Sequence, residues 1–497
     1  MLRGATPNSA SRVIPNDKIV IVQWSFWMSI LLRLHQWLAA PAAPHGLAAF
    51  RVLFGLLVAV GNARFVASGW PEKLYGEPRF FFRFAGFDEV WPVTAEAARW
   101  CHTAFVPLGV LIALGLLFRP AVVCFTALFA WLQLGDVTNY LNHYWLVILL
   151  GCLLCLSPAT ACWAVDNRLF SRRQRPVARG FLLLLRGQVA CVYVFAAIAK
   201  IGPDWLVYGQ PLGVWLPAKS ELPLVGPLLA LPLTALLLSW GGFLYDATVV
   251  PLLLHRRTRA VAYALVLFFH GLTSVFFSIG MFPAIMAVAT TLFFAPDWPC
   301  TLWQRLRRFR GSTPAATPPA TSTTSTAAPN PPWPRAATAF FVLYTGVQMA
   351  LPLRCFVVSD NVLWDEVGMR FSWRVMVREK SGALSYRVTL GPLHDHRVVV
   401  VNPHDKLTWR QVNEMVGQPD LILQLAHAIR DDFNANGFGP VQVRADSTVT
   451  LNGRRAARLI DPDVDLARVD DCFLCRPSFI LAAPTSTPPA PWRALPR

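Results

Sequence analysis

Residues 185–205, LRGQVACVYVFAAIAKIGPDW, read as an apolar helix that carries a lysine, Lys200, at its far end and is stopped by Gly202 and Pro203. A run this apolar is a membrane span, and an ionisable group at the hydrocarbon boundary is paired, faces a cavity or takes part in chemistry. Two readings fit the amine. It can snorkel to the lipid headgroups, or, held away from water where an amine's charged form is disfavoured, it can serve as a base.

The rest of the chain agrees with a membrane protein. It has 497 residues, 55% hydrophobic and 15% charged, whereas a soluble globule carries about a quarter charged residues. Its mean hydropathy is +0.43. The expected fold is a membrane all-α helical bundle of about nine spans, followed by a smaller β-rich α+β extracytoplasmic domain. The formal charge of +17 does not point to nucleic acid, because the arginines sit in short clusters between apolar runs, where they set topology. Ten cysteines are scattered, several within apolar segments where they act as small hydrophobes. No zinc-ligand spacing occurs, so no metal is expected.

Outward from Lys200 the organisation follows composition. Residues 1–44 form an N-terminal segment with an interfacial helix at 25–41, SFWMSILLRLHQWLAAP. No signal-peptide pattern precedes it, so the first span is expected to direct insertion. The transmembrane domain covers 45–300, with spans at 45–66, 101–118, 120–135, 143–163, 181–201, 229–254, 259–277 and 278–295. A basic and Pro/Thr/Ala-rich linker follows at 301–335, too poor in apolar residues to bury a core. A ninth transmembrane helix at 336–356 leads to the extracytoplasmic domain, 357–480. There RFSWRVMVRE and HRVVVVN have strand composition, TWRQVNEMV through HAIRDDF has helical spacing, and PVQVRADSTVTLNG reads as a strand entering an Asn-Gly turn. Residues 481–497 are expected to be a disordered Pro-rich tail.

The loops DNRLFSRRQRPVAR (166–179), HRRTR (255–259) and WQRLRRFR (303–310) are the richest in arginine. With nine spans they fall on one side together with the N-terminus, which the positive-inside rule makes cytoplasmic. Lys200, the segment GDVTNYLNHYW (135–145) and the C-terminal domain then share the opposite side. Asn142 and His143 begin the fourth span there. Histidine is the side-chain type that ordinarily titrates nearest neutrality, so His143 can exchange a proton, and Asn142 can donate a hydrogen bond to a phenolic or carbonyl oxygen; both also fit an ordinary helix end. His270 and Asp246 sit at similar depth on neighbouring spans, which suggests a buried pair holding helices together. Arg51 and Arg186 are other candidate partners for Asp246. Cys472 and Cys475 form a C-x-x-C, read as a local disulfide staple.

Taken together, FRVLFG (50–55), YLNHYWL (140–146), LRGQVACVYVFAAIAKIGPDW, SWGGFLYD (239–246), FHGLTSVFFSIGMF (269–282), FAPDWP (294–299), FSWRVMVR (371–378) and RLIDPDVDL (458–466) resemble the vitamin K-dependent gamma-carboxylases and their bacterial relatives that carry the horizontally transferred transmembrane (HTTM) domain. The resemblance implies a membrane enzyme that couples epoxidation of a vitamin K hydroquinone, of menaquinol or phylloquinol type, to carboxylation of a protein glutamate. O2 and CO2 are the implied co-substrates, and the lipid bilayer, a membrane quinone and a glutamate-containing protein the implied partners. It assigns Lys200 and His143 as catalytic, and Asn142, His143 and His270 as quinone-binding. Arg370, Trp373 and Arg378 become candidates for binding the glutamate substrate, since guanidinium groups grip carboxylates in a bidentate way. The chain departs from the animal enzymes at Cys355 and Arg378, where they have histidines, and at Ala199, where they have a lysine. Two further hypotheses remain beside carboxylation: a membrane quinol oxygenase without protein carboxylation, and a non-catalytic membrane binding protein.

Overall fold

The computed structural model describes residues 16–309, 331–470, 472 and 476–490. The helices that matter here are α1 (Asn16–Ala39), α2 (His45–Ala67), α3 (Ala95–Leu114), α4 (Phe118–Leu134), α5 (Asn142–Leu156), α6 (Arg179–Ala199), α7 (Pro232–Leu254), α8 (Arg259–Phe276), α9 (Phe282–Thr290), α10 (Trp298–Phe309) and α11 (Arg335–Leu353). Among the described residues six helices are long and apolar enough to cross a bilayer, so the expected count of nine spans is not reproduced as nine full-length helices. The helices α4 and α5 are apolar but shorter, and the expected eighth span is broken after Phe293 and bends by 92° into the Trp298–Arg308 segment. The break follows from Pro296, which cannot continue the helix, and from the arginines of α10, which keep its polar face in an aqueous interface.

Small residues set the tightest packing in the bundle. Gly55 and Ala59 on α2 face Gly109 and Ala113 on α3, and a methyl group at Gly55 would lie 2.5 Å from the Gly109 carbonyl oxygen. Membrane helices associate through such small-xxx-small faces because backbones can then touch without a hydrophobic driving force. At the end of the bundle away from the C-terminal domain, Pro41–Ala42 pairs antiparallel with Val177–Ala178, beside the arginine-rich segment before α6.

The C-terminal domain is built on a four-stranded antiparallel sheet in the order β2-β1-β3-β4, where β1 is Lys380–Thr389, β2 Val398–Val401, β3 Gln442–Leu451 and β4 Ala457–Arg458. The Asn-Gly turn is as expected: Asn452 and Gly453 both have positive φ, 50° and 77°, which two-residue hairpin turns favour. Helices α12 (Trp409–Met415) and α13 (Pro419–Ala435) pack on the sheet. A reciprocal cap between Thr408 and Gln411 starts α12.

Two expectations for this domain are corrected. RFSWRVMVRE is not a strand before Lys380, because Phe371, Trp373 and Met376 have φ of 64°, 56° and 56°, values that interrupt a pleat. Residues 481–490, expected to be loose, lie against the domain, with the Arg454 Nε donating to the Ser486 carbonyl at 2.9 Å. Residues 310–330 of the expected linker, Cys475 and residues 491–497 lie outside the described residues; Cys472 is disulfide-bonded.

The domain is docked on the bundle rather than tethered to it. Phe82 and Phe84, from the aromatic segment after α2, and Val137 join the domain's own core around Tyr386, Val388 and Leu425. The Gln424 amide bonds both backbone groups of Arg83, at 2.9 and 3.1 Å, and Arg410 Nη1 donates to the Thr138 carbonyl at 2.9 Å. On the other flank Arg454 grips Asp204 through two 2.6 Å bonds, and Asn452 adds a third at 2.8 Å. Both ionic side chains are 14% exposed. Asp204→Ala is expected to cost about 3 kcal/mol by leaving Arg454 buried and unpaired, lowering the thermal midpoint and speeding hydrogen exchange in the 203–210 loop. The double variant with Arg454→Leu should recover part of the loss, and additive losses would refute the pairing as the cause.

Candidate functional site

Lys200 is the residue after α6, where the backbone leaves the helix ahead of Gly202 and Pro203. Its side chain turns back into the bundle and is 5% exposed. The ammonium Nζ donates to Asp246 Oδ2 on α7 at 2.8 Å and to the Ala196 carbonyl at 3.3 Å. The Trp205 ring lies 5.0 Å away, and its own Nε1 donates to the Ser239 carbonyl at 2.6 Å, which fixes the ring. The snorkelling reading is therefore overturned: a charge pair and an aromatic face hold the amine inside.

Asp246 corrects a second expectation. Its partner is Lys200, and neither His270, Arg51 nor Arg186 pairs with it: Arg51 donates to the Trp163 carbonyl, and Arg186 to those of Leu292 and Phe294. His270 instead contacts the Tyr193 hydroxyl through Nε2 at 3.2 Å, and Tyr193 contacts Tyr245 at 3.3 Å. The other ring nitrogen of His270 is buried without a partner.

Lys200, Asp246, His270 and the two tyrosines line one cavity of about 410 Å³, walled otherwise by mostly apolar side chains of α6, α7, α8 and α9, with Thr248 and Thr273 among them. Its outer wall includes Leu244, Leu265 and Phe268, which are exposed on the lipid-facing surface. Its roof is formed by Val375 and Met376 of the C-terminal domain. The volume falls in the ~300–1,000 Å³ range of small-molecule sites, which are mostly apolar with a few convergent polar groups.

Asn142 and His143 are not among the residues lining that cavity. His143 is buried in its back wall, its ring 5.8 Å from Phe282, which in turn lies 5.6 Å from His270. Asn142 faces the other way and accepts a 3.0 Å bond from the Tyr140 hydroxyl, whose oxygen accepts the Phe371 backbone N–H at 2.8 Å. The TNYLNH and FSW motifs thus meet through Tyr140. They do so beside a second cavity, of about 380 Å³, between the bundle and the C-terminal domain, lined by Tyr140, Trp145, Arg354, Glu366, Arg370 and Phe371 among others.

Of the three residues expected to bind a carboxylate substrate, Arg370 lines this second cavity, with its guanidinium held by Asp420 at 2.5 Å and by Gln418. Arg378 lies behind the wall, paired to Glu366, which Lys380 also binds at 3.0 Å. Burial pushes the Lys380 ammonium below its ordinary range, with Glu366 opposing it. Burial works against Arg378 too, but the carboxylates of Glu366 and Glu414 outweigh it and hold its charge more firmly. Trp373 reaches down into the core of the bundle, 1% exposed, with its indole N–H unpartnered. Tyr140, Arg354, Tyr193 and Tyr245 were missed by sequence reasoning. Tyr140, Tyr193 and Tyr245 lie inside stretches that were recognised but were not singled out within them, and Arg354 lies outside all of them.

Residues 39–298, more than half of the chain, match the family model of the HTTM domain. Residues 333–485 match that of the vitamin K-dependent gamma-carboxylase lumenal domain. No solved structure matches the chain. Two adjoining matches, in the order bundle then docked α+β domain, account for the fold described above, and the chain belongs to the vitamin K-dependent gamma-carboxylase family.

Proposed function

We propose that the protein binds a membrane quinol of the vitamin K type in the Lys200 cavity, and couples its epoxidation to carboxylation of a protein glutamate presented in the cavity beneath the C-terminal domain. The observation that carries this reading is the buried Lys200–Asp246 pair at 2.8 Å on the wall of an apolar cavity whose outer side faces lipid. A quinol with an isoprenoid tail travels in the bilayer and reaches such a cavity between α7 and α8 without crossing water. The residues fit the group: the walls are mostly apolar, and the Lys200–Asp246 pair, His270, Tyr193, Tyr245 and two threonines supply the polar points. When bound, the quinol supplies the oxygen chemistry and the strong base that no side chain can provide.

The protein's part is proton handling, dryness and orientation. Lys200 and Asp246 together form a neutral unit that can take up one proton: an ammonium proton passes along the 2.8 Å hydrogen bond to Asp246 Oδ2, and the lone pair this frees on Nζ accepts the proton taken up. His270, with Tyr193 and Tyr245 behind it, orients an oxygen through its open nitrogen. His143 closes the back wall, a positioning role in place of the direct contact expected from sequence. The roof of Val375 and Met376 keeps bulk water out. The arginine clusters lie at the end of the bundle away from the C-terminal domain, which supports a cytoplasmic N-terminus and an extracytoplasmic domain.

One observation favours a second reading, quinol oxygenation without carboxylation. Both Arg370 and Arg378 already hold carboxylates of the chain itself. Measuring labelled CO2 incorporation into a glutamate peptide beside epoxide formation separates the two: both products support coupling, and epoxide alone supports the second reading.

Lys200→Met is expected to abolish epoxide formation while the protein still inserts and folds; retained activity would remove Lys200 as the base. Asp246→Asn keeps a hydrogen-bond acceptor for Nζ but no second proton site, so epoxide formation should fall by roughly 10²-fold. An unchanged rate would leave Asp246 as a structural partner only. Tyr140→Phe removes the acceptor for the Phe371 N–H, and is expected to lower CO2 incorporation more than epoxide formation, since it touches only the second cavity. Equal losses in both products would count against separate sites.

A further inference from the structure

A third cavity, of about 170 Å³, lies on the far side of His143, between α2, α3, α4, α5 and α9. It shares no lining residue with the Lys200 cavity. Its wall is strongly aromatic, including Phe54, Phe65, Phe125, Phe129 and Tyr144, and its rim holds Arg64 and Trp70 at the same end of the bundle as the C-terminal domain. At its wall stands His102, 2% exposed, an imidazole that neither family motif nor the proposed chemistry uses.

The hydrogen bonds around His102 fix which nitrogen carries the proton. The Asn62 amide nitrogen donates to the Val58 carbonyl at 2.7 Å, and a carbonyl can only accept. The Asn62 oxygen therefore faces His102 Nδ1, 2.7 Å away, so Nδ1 must be the donor. In a neutral imidazole that leaves Nε2 with a lone pair and no hydrogen. Nε2 is buried and has no partner. Phe65 covers one face of the ring at 4.1 Å, and Phe105 packs edge-on at 5.5 Å. A buried acceptor left bare among the described residues is costly, and a donor in the cavity would relieve it.

We propose that this cavity is a second binding site, for an aromatic alcohol or quinol head whose hydroxyl donates to His102 Nε2. The aromatic walls select a flat ring, and the imidazole tautomer selects O–H over an ether or a carbonyl. Neither argument depends on the function proposed for Lys200. The chemistry has two sources, a tail-bearing membrane quinol or a free phenol.

The test uses the full chain in lipid nanodiscs, with binding of labelled 1-naphthol and of 1-methoxynaphthalene measured by equilibrium dialysis against empty nanodiscs. The unsubstituted protein is expected to prefer the naphthol by about tenfold, the order of one buried hydrogen bond, and His102→Phe should erase that preference. Asn62→Leu frees Nδ1 from its acceptor, so the proton can move to Nε2. That variant should prefer 1,4-naphthoquinone, an acceptor, over 1-naphthol, an inversion that simple misfolding cannot produce. Competition by a polyisoprenyl hydroquinone under anaerobic conditions, to which a free-phenol site would be indifferent, identifies the membrane quinol as the occupant; lack of competition identifies a free phenol. No preference in the unsubstituted protein, or a preference that survives His102→Phe, would overturn the proposal.

Discussion

An ammonium and a carboxylate, 7% and 8% exposed, are held 2.8 Å apart between α6 and α7 inside a bundle of apolar helices. Taking either charge out of water alone costs several kcal/mol, and their mutual attraction offsets that only with good geometry and further hydrogen bonds. The surroundings supply these. The Ala196 carbonyl accepts from Nζ, and the Trp205 ring faces the cation while its indole N–H is fixed by the Ser239 carbonyl. The pair therefore ties the end of α6 to the middle of α7, and keeps a polar point on an otherwise apolar wall. An apolar pair of the same shape would hold the helices as well or better. Packing alone therefore does not account for the charge, and the proton acceptor proposed for the cavity beside it does.

The second organising contact is between motifs rather than charges. Tyr140 joins Asn142 to the backbone of Phe371, while the Phe371 ring packs against Tyr140 and Trp145 at about 5 Å. From that clasp the chain runs through Trp373, sunk in the bundle core, to Val375 and Met376 over the Lys200 cavity. A segment of six residues thus touches both cavities and separates them. Below it, His143 touches Tyr144 on one side and Phe282 on the other, so the imidazole stands in the partition and not in either hollow.

Much of the fold was legible because membrane spans, basic loops and an Asn-Gly hairpin are written in local composition. The positions of Lys200, His270 and Asp246 in apolar segments were likewise readable as anomalies. What joins them was not. Lys200 and Asp246 are 46 residues apart in sequence, and equal depth on neighbouring helices suggested His270 as the partner of Asp246; helix rotation decided otherwise, and composition does not encode rotation. The FSW segment has strand-like residues, yet burying Trp373 downward while Phe371 stays in the upper cavity requires backbone turns with positive φ. The early end of α5 was hidden for a simpler reason: small and apolar residues continue past Leu156 into the 158–164 loop, so composition alone does not mark where the helix stops.

That covering explains why the two domains come as a unit. Irregular backbone at membrane depth is tolerated only where protein buries it or a cavity accepts it, since lipid leaves its N–H and C=O groups unsatisfied. Here the irregular stretches are 135–141 and 366–376: the Phe371 N–H of the second is met by the Tyr140 hydroxyl of the first, and its Arg370 carbonyl by Arg354 at the end of α11. Neither stretch could stand alone in the bilayer. The bundle supplies a dry cavity with a paired amine, but its open top would admit water without the domain's loop. The domain, in turn, has that loop held against the bundle by Tyr140, Trp145 and Arg354 and by the burial of Trp373. The two cavities are thus divided between two domains, joined by the bonds that Tyr140 and Arg354 of the bundle make to the 366–376 loop.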